Sequence, residues 1–370
     1  MKIFVIGTRG IPNIPGGVEK HCQELYPRIA NKGHEVNLCA RKSYIKNKID
    51  QWQGVKIHVC YAPRKKSLEA ITHTFIALLK ARWHSPDILH IHAIGPSLLT
   101  PIARLLRLKV VCTNHGPDYK RQKWGRLAKT ILRLGEKMGG LFANEVIVIS
   151  TIIEDIIYKR CNRKSNLIYN GVNLPNKSTN TDFLTQIGIE PNRYIMNVTR
   201  FVPEKGLHDL IKAYMMMKTD YKLVIVGDAD HETDYSRHLR MLASNDKRII
   251  LTGYLTGNPL SQIYSYASLF ILPSYHEGLP IVLLEALSYD IPVLISDIGA
   301  NLAVELPSER YFRCGDVEDL KSKMQIFLKQ ELRVEEQQNN RKLLETKYSW
   351  DKIAEQTIEI YMNVINNNKM

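Results

Sequence analysis

The chain has 370 residues, of which 44% are hydrophobic and 24% charged, the balance of a folded protein rather than a disordered one. That length exceeds one ordinary core and suits two α/β domains. Its net charge of +14 is unevenly placed: residues 1–180 hold 30 Lys+Arg against 11 Asp+Glu, net +19, and residues 181–370 hold 21 against 26, net −5.

In chain order, MKIFVIGTRG reads as a first β-strand near 2–7. Its apolar run is too short for a secretory leader, so a cytoplasmic protein is expected. Strands follow near 35–40, 55–60, 87–92, 109–114 and 145–149, with helices near 17–32, 67–83, 96–107, 124–141 and 151–161. This alternation is that of a parallel sheet flanked by helices. Residues 166–182 turn to Asn, Pro, Ser and Thr, a linker composition. The alternation then restarts, with strands near 194–199, 222–227, 249–252, 269–272 and 292–296. Helices are expected near 206–217, 234–244, 280–288, 317–329 and 334–346. After Trp350 comes an amphipathic helix, with Ile353, Ile358, Ile360, Tyr361 and Val364 as its apolar positions. No apolar run approaches the ~20 residues of a membrane helix. The six cysteines are scattered without a CxxC pair, which argues against a disulfide framework and a cysteine metal site.

Four stretches carry chemistry. The loop from Gly7 to Gly17 follows the first strand and opens a helix; it is a mobile turn or a place where a charged group could approach the backbone at Gly16 and Gly17. It is not GxGxxG, and the second strand ends at Arg41 where a dinucleotide reader needs an acid. Thr113-Asn114-His115-Gly116-Pro117-Asp118 also follows a strand, and a neutral His115 there can hydrogen-bond a sugar hydroxyl. His90 and His92 share a sheet face, but a zinc site needs two more ligands and the neighbouring sequence supplies none. Structural roles, or roles in supporting a residue that meets the ligand, are expected for both. Arg200 and Lys205, five apart at a helix start, suit a diphosphate or belong to a solvated charged loop. Glu277-Gly278-Leu279-Pro280 precedes an apolar helix with Pro280 in its first turn, and Glu285 within that helix needs a partner such as a ribose diol. Asp228-Ala229-Asp230 spells DxD but reads as a solvated turn.

The succession GGVExH (16–21), NHGxD (114–118), RFVPEKG (200–206), TG (252–253) and EGLPIVLLE (277–285) resembles the family-4 retaining glycosyltransferases. The opening TRGIPxxPGGVE with HGxDYKRxKWG is similar to a bacterial, rhamnosyltransferase-like subgroup of surface-polysaccharide assembly. One departure is Tyr169, where such sequences often carry Pro. The resemblance implies the GT-B fold: two Rossmann-like, doubly wound domains facing a central cleft. The domains would be 1–172 on the acceptor side and 193–349 for the nucleotide sugar. A linker at 173–192 would join them, and a helix at 350–370 would cross back to the first. It implies that Glu285 holds the ribose and Glu277 the sugar hydroxyls beside Gly278 and Leu279. Arg200 and Lys205 would neutralise the diphosphate, and His115 would touch the donor sugar. Gly16 and Gly17 would approach the phosphates, with Glu19, His21 and Asp118 on the acceptor side. No metal and no cofactor are implied. The donor would be a UDP-, dTDP- or GDP-sugar, transferred with retention by front-face attack to a lipid-linked O-antigen, capsule or exopolysaccharide glycan.

The basic half calls for an anionic partner. Lys120, Arg121, Lys123, Arg126, Lys129, Arg133 and Lys137 run beside Trp124, Leu127, Ile131 and Leu132. The segment fits an anionic membrane surface on the inner face of the cell membrane, or a helix whose apolar stripe packs on the sheet. Nucleic-acid binding is a rival, but no recognised module for it appears, and none is expected. A sugar-nucleotide epimerase of similar shape is the second rival.

Overall fold

The computed structural model describes residues 1–45, 49–62, 69–120, 124–328, 330 and 332–366. The chain forms two units: Met1–Gly171 together with Tyr348–Met370, and Val172–Lys347.

The first unit is built on strands β1 (Lys2–Ile6), β2 (Glu35–Arg41), β3 (Gln51–Trp52), β4 (Val55–Cys60), β5 (Ile88–His92), β6 (Val110–Asn114), β7 (Glu145–Val148) and β8 (Asn166–Leu167). Their order is β3-β4-β2-β1-β5-β6-β7-β8, parallel throughout except for β3 against β4. Strands β5 and β6 are buried at every position, as parallel strands covered on both faces must be. Ile3 pairs with Ile88 and Leu89 with Val110, which sets the central register. The order reverses at β1 and β5. Ligands of doubly wound sheets bind beyond the carboxyl ends at such a switch point, here residues 7–16, 93–95 and 115–118.

Helix Gly17–Asn31 packs on one face through Cys22, Leu25, Tyr26 and Ile29, spaced three and four apart. Helix Trp350–Asn366 shares that core. Trp350, Ile353, Ala354, Tyr361 and Val364 are buried with Ile88, Val111, Ile147 and Ile168. Gly171 makes room for the indole: a Cβ there would lie 2.6 Å from the Trp350 ring.

The second unit carries β9 (Tyr194–Val198), β10 (Lys222–Val226), β11 (Ile249–Gly253), β12 (Leu269–Leu272), β13 (Val293–Ser296) and β14 (Tyr311–Phe312), in the parallel order β11-β10-β9-β12-β13-β14. Its switch point lies between β9 and β12, so residues 199–206 and 273–280 are the loops at its crevice. Residues 173–192, expected as a linker, belong to this unit and include helix Asp182–Gln186, anchored by buried Leu184.

Helix Arg126–Phe142 differs from the expected amphipathic packing. The face turned to the protein is Gly135, Glu136, Gly139 and Gly140. A Cβ at Gly135 would sit 2.1 Å from the Ile94 carbonyl oxygen, so the helix backbone itself rests on the loop after β5. Leu127 is consequently 76% exposed, Leu134 and Leu141 are exposed, and Ile131 and Leu132 are half-buried. Trp124 precedes the helix and is half-buried. Arg121 and Lys123 lie outside the described residues.

Candidate active site

In the first unit the loop after β1 is braced from inside. The Arg9 N–H donates to Glu19 Oε1 at 3.0 Å, the Arg9 guanidinium to Oε2 at 3.1 Å, and the Thr8 hydroxyl reaches Oε1 at 3.4 Å. Burial alone would raise the Glu19 carboxyl, but the charge and hydrogen bonds of Arg9 outweigh it and hold the pKa below the usual value. Gly16, with φ of 143°, must be glycine: a Cβ would meet Glu19 Oε2 at 2.1 Å. Gly17 is exposed with nothing near its Cβ position, so the start of helix Gly17–Asn31 stays open to a ligand. Glu19, expected on the acceptor side, shapes this loop.

Beside it lies a cluster of imidazoles from three segments. His21 comes from helix Gly17–Asn31, His92 ends β5, and His115 follows β6. His92 Nδ1 is 2.9 Å from His115 Nε2, and His21 Nδ1 donates to Asn170 Oδ1 at 2.9 Å. The Tyr26 hydroxyl bridges His92 Nε2 and His90 Nδ1, and His90 Nε2 meets the Thr113 hydroxyl at 2.7 Å. Tyr361 on the last helix also reaches His90 Nδ1. Burial depresses all four pKa values: His21 to about 4, His90 to about 3, His92 and His115 well below the ordinary value. The imidazoles are therefore neutral near pH 7, able to donate and accept. Asp118 begins a short 3₁₀ turn after this loop and is half-buried.

In the second unit Gly206 sets the geometry. Its φ is 64°, and a Cβ would lie 2.0 Å from the Pro273 carbonyl oxygen. This close approach brings the turn Pro203–Lys205 against the end of β12. Lys205 Nζ then donates to Glu277 Oε1 at 2.5 Å, and the Ser274 hydroxyl donates to the same oxygen at 2.7 Å. Arg200 pairs with Asp230 at 3.0 Å, and Arg240 with Asp228 at 2.5 Å. The DxD acids, expected as a solvated turn, are thus engaged in ion pairs, one of them with a candidate phosphate ligand. Pro280 caps helix Ile281–Ser288 rather than occupying its first turn, directly after buried Leu279 and half-buried Gly278. Glu285 is half-buried and accepts from the Tyr264 hydroxyl at 3.1 Å, with Tyr289 stacked on Tyr264. It has this protein partner before any ribose arrives.

The structure thus gathers Gly16, Gly17 and Glu19 in one loop, His21 with His115 in one cluster, and Lys205 with Glu277 in one pair. Arg200 and Glu285 have other partners. Sequence reasoning missed Tyr26, Asn170 and Tyr361 around the histidines, and Ser274, Asp230 and Tyr264 around the second loop group. Asn170, next to Gly171 where the first unit's long segment ends, carried a signal in its position; the three tyrosines looked like core.

Two family models match in succession: Glycosyltransferase Family 4 over residues 15–175 and Glycosyl transferases group 1 over 181–356. A glycosyltransferase of Methanocaldococcus jannaschii, itself described as uncharacterized, is 24% identical, covering 98% of both chains. An Escherichia coli UDP-Gal:alpha-D-GlcNAc-diphosphoundecaprenol alpha-1,3-galactosyltransferase is 25% identical, covering 77% of each. The solved structure of a sucrose-phosphate synthase from Thermosynechococcus elongatus shares the fold at a TM-score of 0.83, with 21% identity and 99% of both chains covered. Fold and sequence together define a glycosyltransferase with the two-unit GT-B architecture. The chain belongs to family 4 of these enzymes, and its relatives include bacterial polysaccharide transferases.

Proposed function

We propose that the chain moves a hexosyl or deoxyhexosyl group from a UDP-, dTDP- or GDP-sugar to a lipid-linked surface-polysaccharide precursor, with retention. The observation that carries this reading is the Lys205–Glu277–Ser274 arrangement at the switch point of the second sheet. It sets a cation and a hydroxyl-reading carboxylate side by side, as a sugar joined to a diphosphate requires. The activity of the E. coli relative, on a UDP-sugar and a diphosphoundecaprenol-linked acceptor, supports both substrate classes.

Transfer passes through an oxocarbenium-like state while the bond from the anomeric carbon to the diphosphate oxygen breaks. Lys205 and Arg200 stabilise the charge gathering on that oxygen, a task for preorganised cations that needs no metal. The acceptor hydroxyl adds from the same face, and its proton passes to the departing diphosphate. Arg200 exchanges Asp230 for phosphate when the donor binds. Thermal stabilisation by a panel of nucleotide sugars tests the reading, since a ligand at 100 times its Kd adds about 2.7 kcal/mol. No stabilisation by any member, and formation of an epimerised free donor in place of a transferred sugar, would each count against it.

Glu285→Ala should weaken nucleotide diphosphate binding about 10- to 100-fold, the worth of a hydrogen bond to a charged group. Calorimetry on the folded variant measures this, and an unchanged Kd removes Glu285 from the site.

The acceptor's lipid places the enzyme at a membrane. No helix among the described residues is long and apolar enough to cross one. One layer of the first unit nevertheless has a suitable outer surface. Ile71, Phe75, Leu79 and Trp83 form a stripe at four-residue steps along helix Glu69–His84, with Trp83 90% exposed. Leu105 of helix Thr100–Leu105 is 82% exposed. These two helices and Arg126–Phe142 carry Lys80, Arg82, Arg104, Arg126, Lys129, Arg133 and Lys137. Their two acids, Glu69 and Glu136, are paired with Arg41 and Arg160. Exposed apolar side chains among cations that outnumber the acids of the same helices suit an anionic leaflet. Each cation near the surface contributes about 1 kcal/mol, so the triple change Arg126→Gln, Lys129→Gln, Lys137→Gln should weaken binding to anionic vesicles at least tenfold. Co-sedimentation at low and high salt measures it. Parent protein that ignores anionic vesicles at low salt would sink the membrane assignment.

A further inference from the structure

We propose that His21, His92 and His115 form a three-histidine site for zinc or a similar late first-row divalent cation. One ring nitrogen from each lies within 4.8 Å of the other two. Neutral imidazole suits such metals, and three histidines with an open fourth position are a known zinc geometry. The sequence shows only the His90/His92 spacing; folding supplies His21 and His115 from segments far away in the chain.

The hydrogen bonds admit a tautomer set with a lone pair on each ring. Asn170 Oδ1 can only accept, so His21 carries its proton on Nδ1 and keeps the lone pair on Nε2. The Tyr26 hydroxyl can accept from His92 Nε2 while donating to His90 Nδ1, a nitrogen it shares with the Tyr361 hydroxyl; in that arrangement the His92 lone pair lies on Nδ1. That nitrogen faces His115 Nε2 at 2.9 Å. Without a metal, one proton must lie between the two, donated by His115. With a metal, His115 moves this proton to its own Nδ1 and presents a second lone pair. No proton leaves the cluster. Zinc–nitrogen bonds of ~2.05 Å put two ligand nitrogens about 3.3 Å apart in a tetrahedral site, so the close pair opens by about 0.4 Å while the widest, within 4.8 Å, closes towards the same spacing. His21 and His92 are each already held at their other nitrogen, as metal-ligating histidines are.

An occupied site withdraws His115 from any sugar hydroxyl. The metal would thus act as a brake on transfer rather than as its cofactor.

The test titrates metal-free protein with Zn²⁺ against a chromogenic chelator, and with Co²⁺ followed by visible absorption. One ion per chain is expected, with the absorption of low-coordinate nitrogen-bound cobalt. His21→Ala and His115→Ala should each abolish stoichiometric binding while melting as folded proteins. Tyr26→Phe keeps all three ligands but loses the hydroxyl that orients His92, and should weaken affinity about 10- to 100-fold. Absence of stoichiometric zinc, or binding unchanged in His21→Ala and His115→Ala, overturns the site. Zinc should also slow transfer reversibly, with chelator restoring it, and acceleration by zinc would overturn the brake. Only this last arm rests on the transferase reading, so a failed assay for transfer leaves the binding result to stand by itself.

Discussion

Replacing Lys205 with alanine is expected to lower the single-turnover rate of sugar transfer about 100- to 1,000-fold with little loss of stability. The magnitude is that of removing one preorganised donor from the place where transition-state charge collects. Stability should hold because the residue is half-buried, and because Glu277 keeps the Ser274 hydroxyl after the ammonium is gone. Substrate binding should weaken far less than the rate falls, since the diphosphate gains its extra charge only as the bond breaks. Rapid-quench measurement at saturating donor separates the two quantities. A variant with parental rate and raised KM would show that Lys205 only binds the ground state.

The second large effect is structural. Trp350→Ala should cost the first unit about 3–5 kcal/mol, the usual loss for a buried tryptophan. The indole is 2% exposed, lies against Gly171, and meets the His21 ring edge-on at a centroid distance of 5.4 Å. Calorimetry should show the transition of the first unit lowered while that of Val172–Lys347 stays in place. A shift of both transitions by equal amounts would contradict the assignment of Trp350 to the first unit's core.

The parallel strands were legible because each is a short apolar run between turns, and burial on both faces demands that composition. Short edge strands such as Gln51–Trp52 and Tyr311–Phe312 have too few residues to show a period. Helix Gly257–Ser265 was not among the expected helices, because Gly, Asn, Pro and Ser are turn residues; buried Ile263 and Tyr264 hold it in place. The orientation of helix Arg126–Phe142 was unreadable for a related reason. Apolar periodicity pointed to Leu127, Ile131 and Leu132, whereas a glycine face packs closer than any leucine can. Loop residues such as Lys205 and Glu277 stood out by their motifs. Their pairing depends on a backbone approach at Gly206 that spacing alone does not reveal. The histidines needed more, since Gly17–Asn31, β5 and β6 had to be stacked side by side before His21 could meet His115.

The return of helix Trp350–Asn366 to the first unit also dictates an order of events during synthesis. Domains generally fold as they leave the ribosome, at about 5–20 residues per second. Here the 176 residues of Val172–Lys347 are made between Gly171 and the segment that completes the first core. The first unit therefore waits about 10–35 s with the apolar ground around Ile88, Val111, Ile147 and Ile168 not yet covered by Trp350, Ile353 and Tyr361. The second unit, contiguous in the chain, can finish first. A nascent chain of this design can reach its native state from the middle outward, and its early-made half is the part that spends longest with apolar core uncovered.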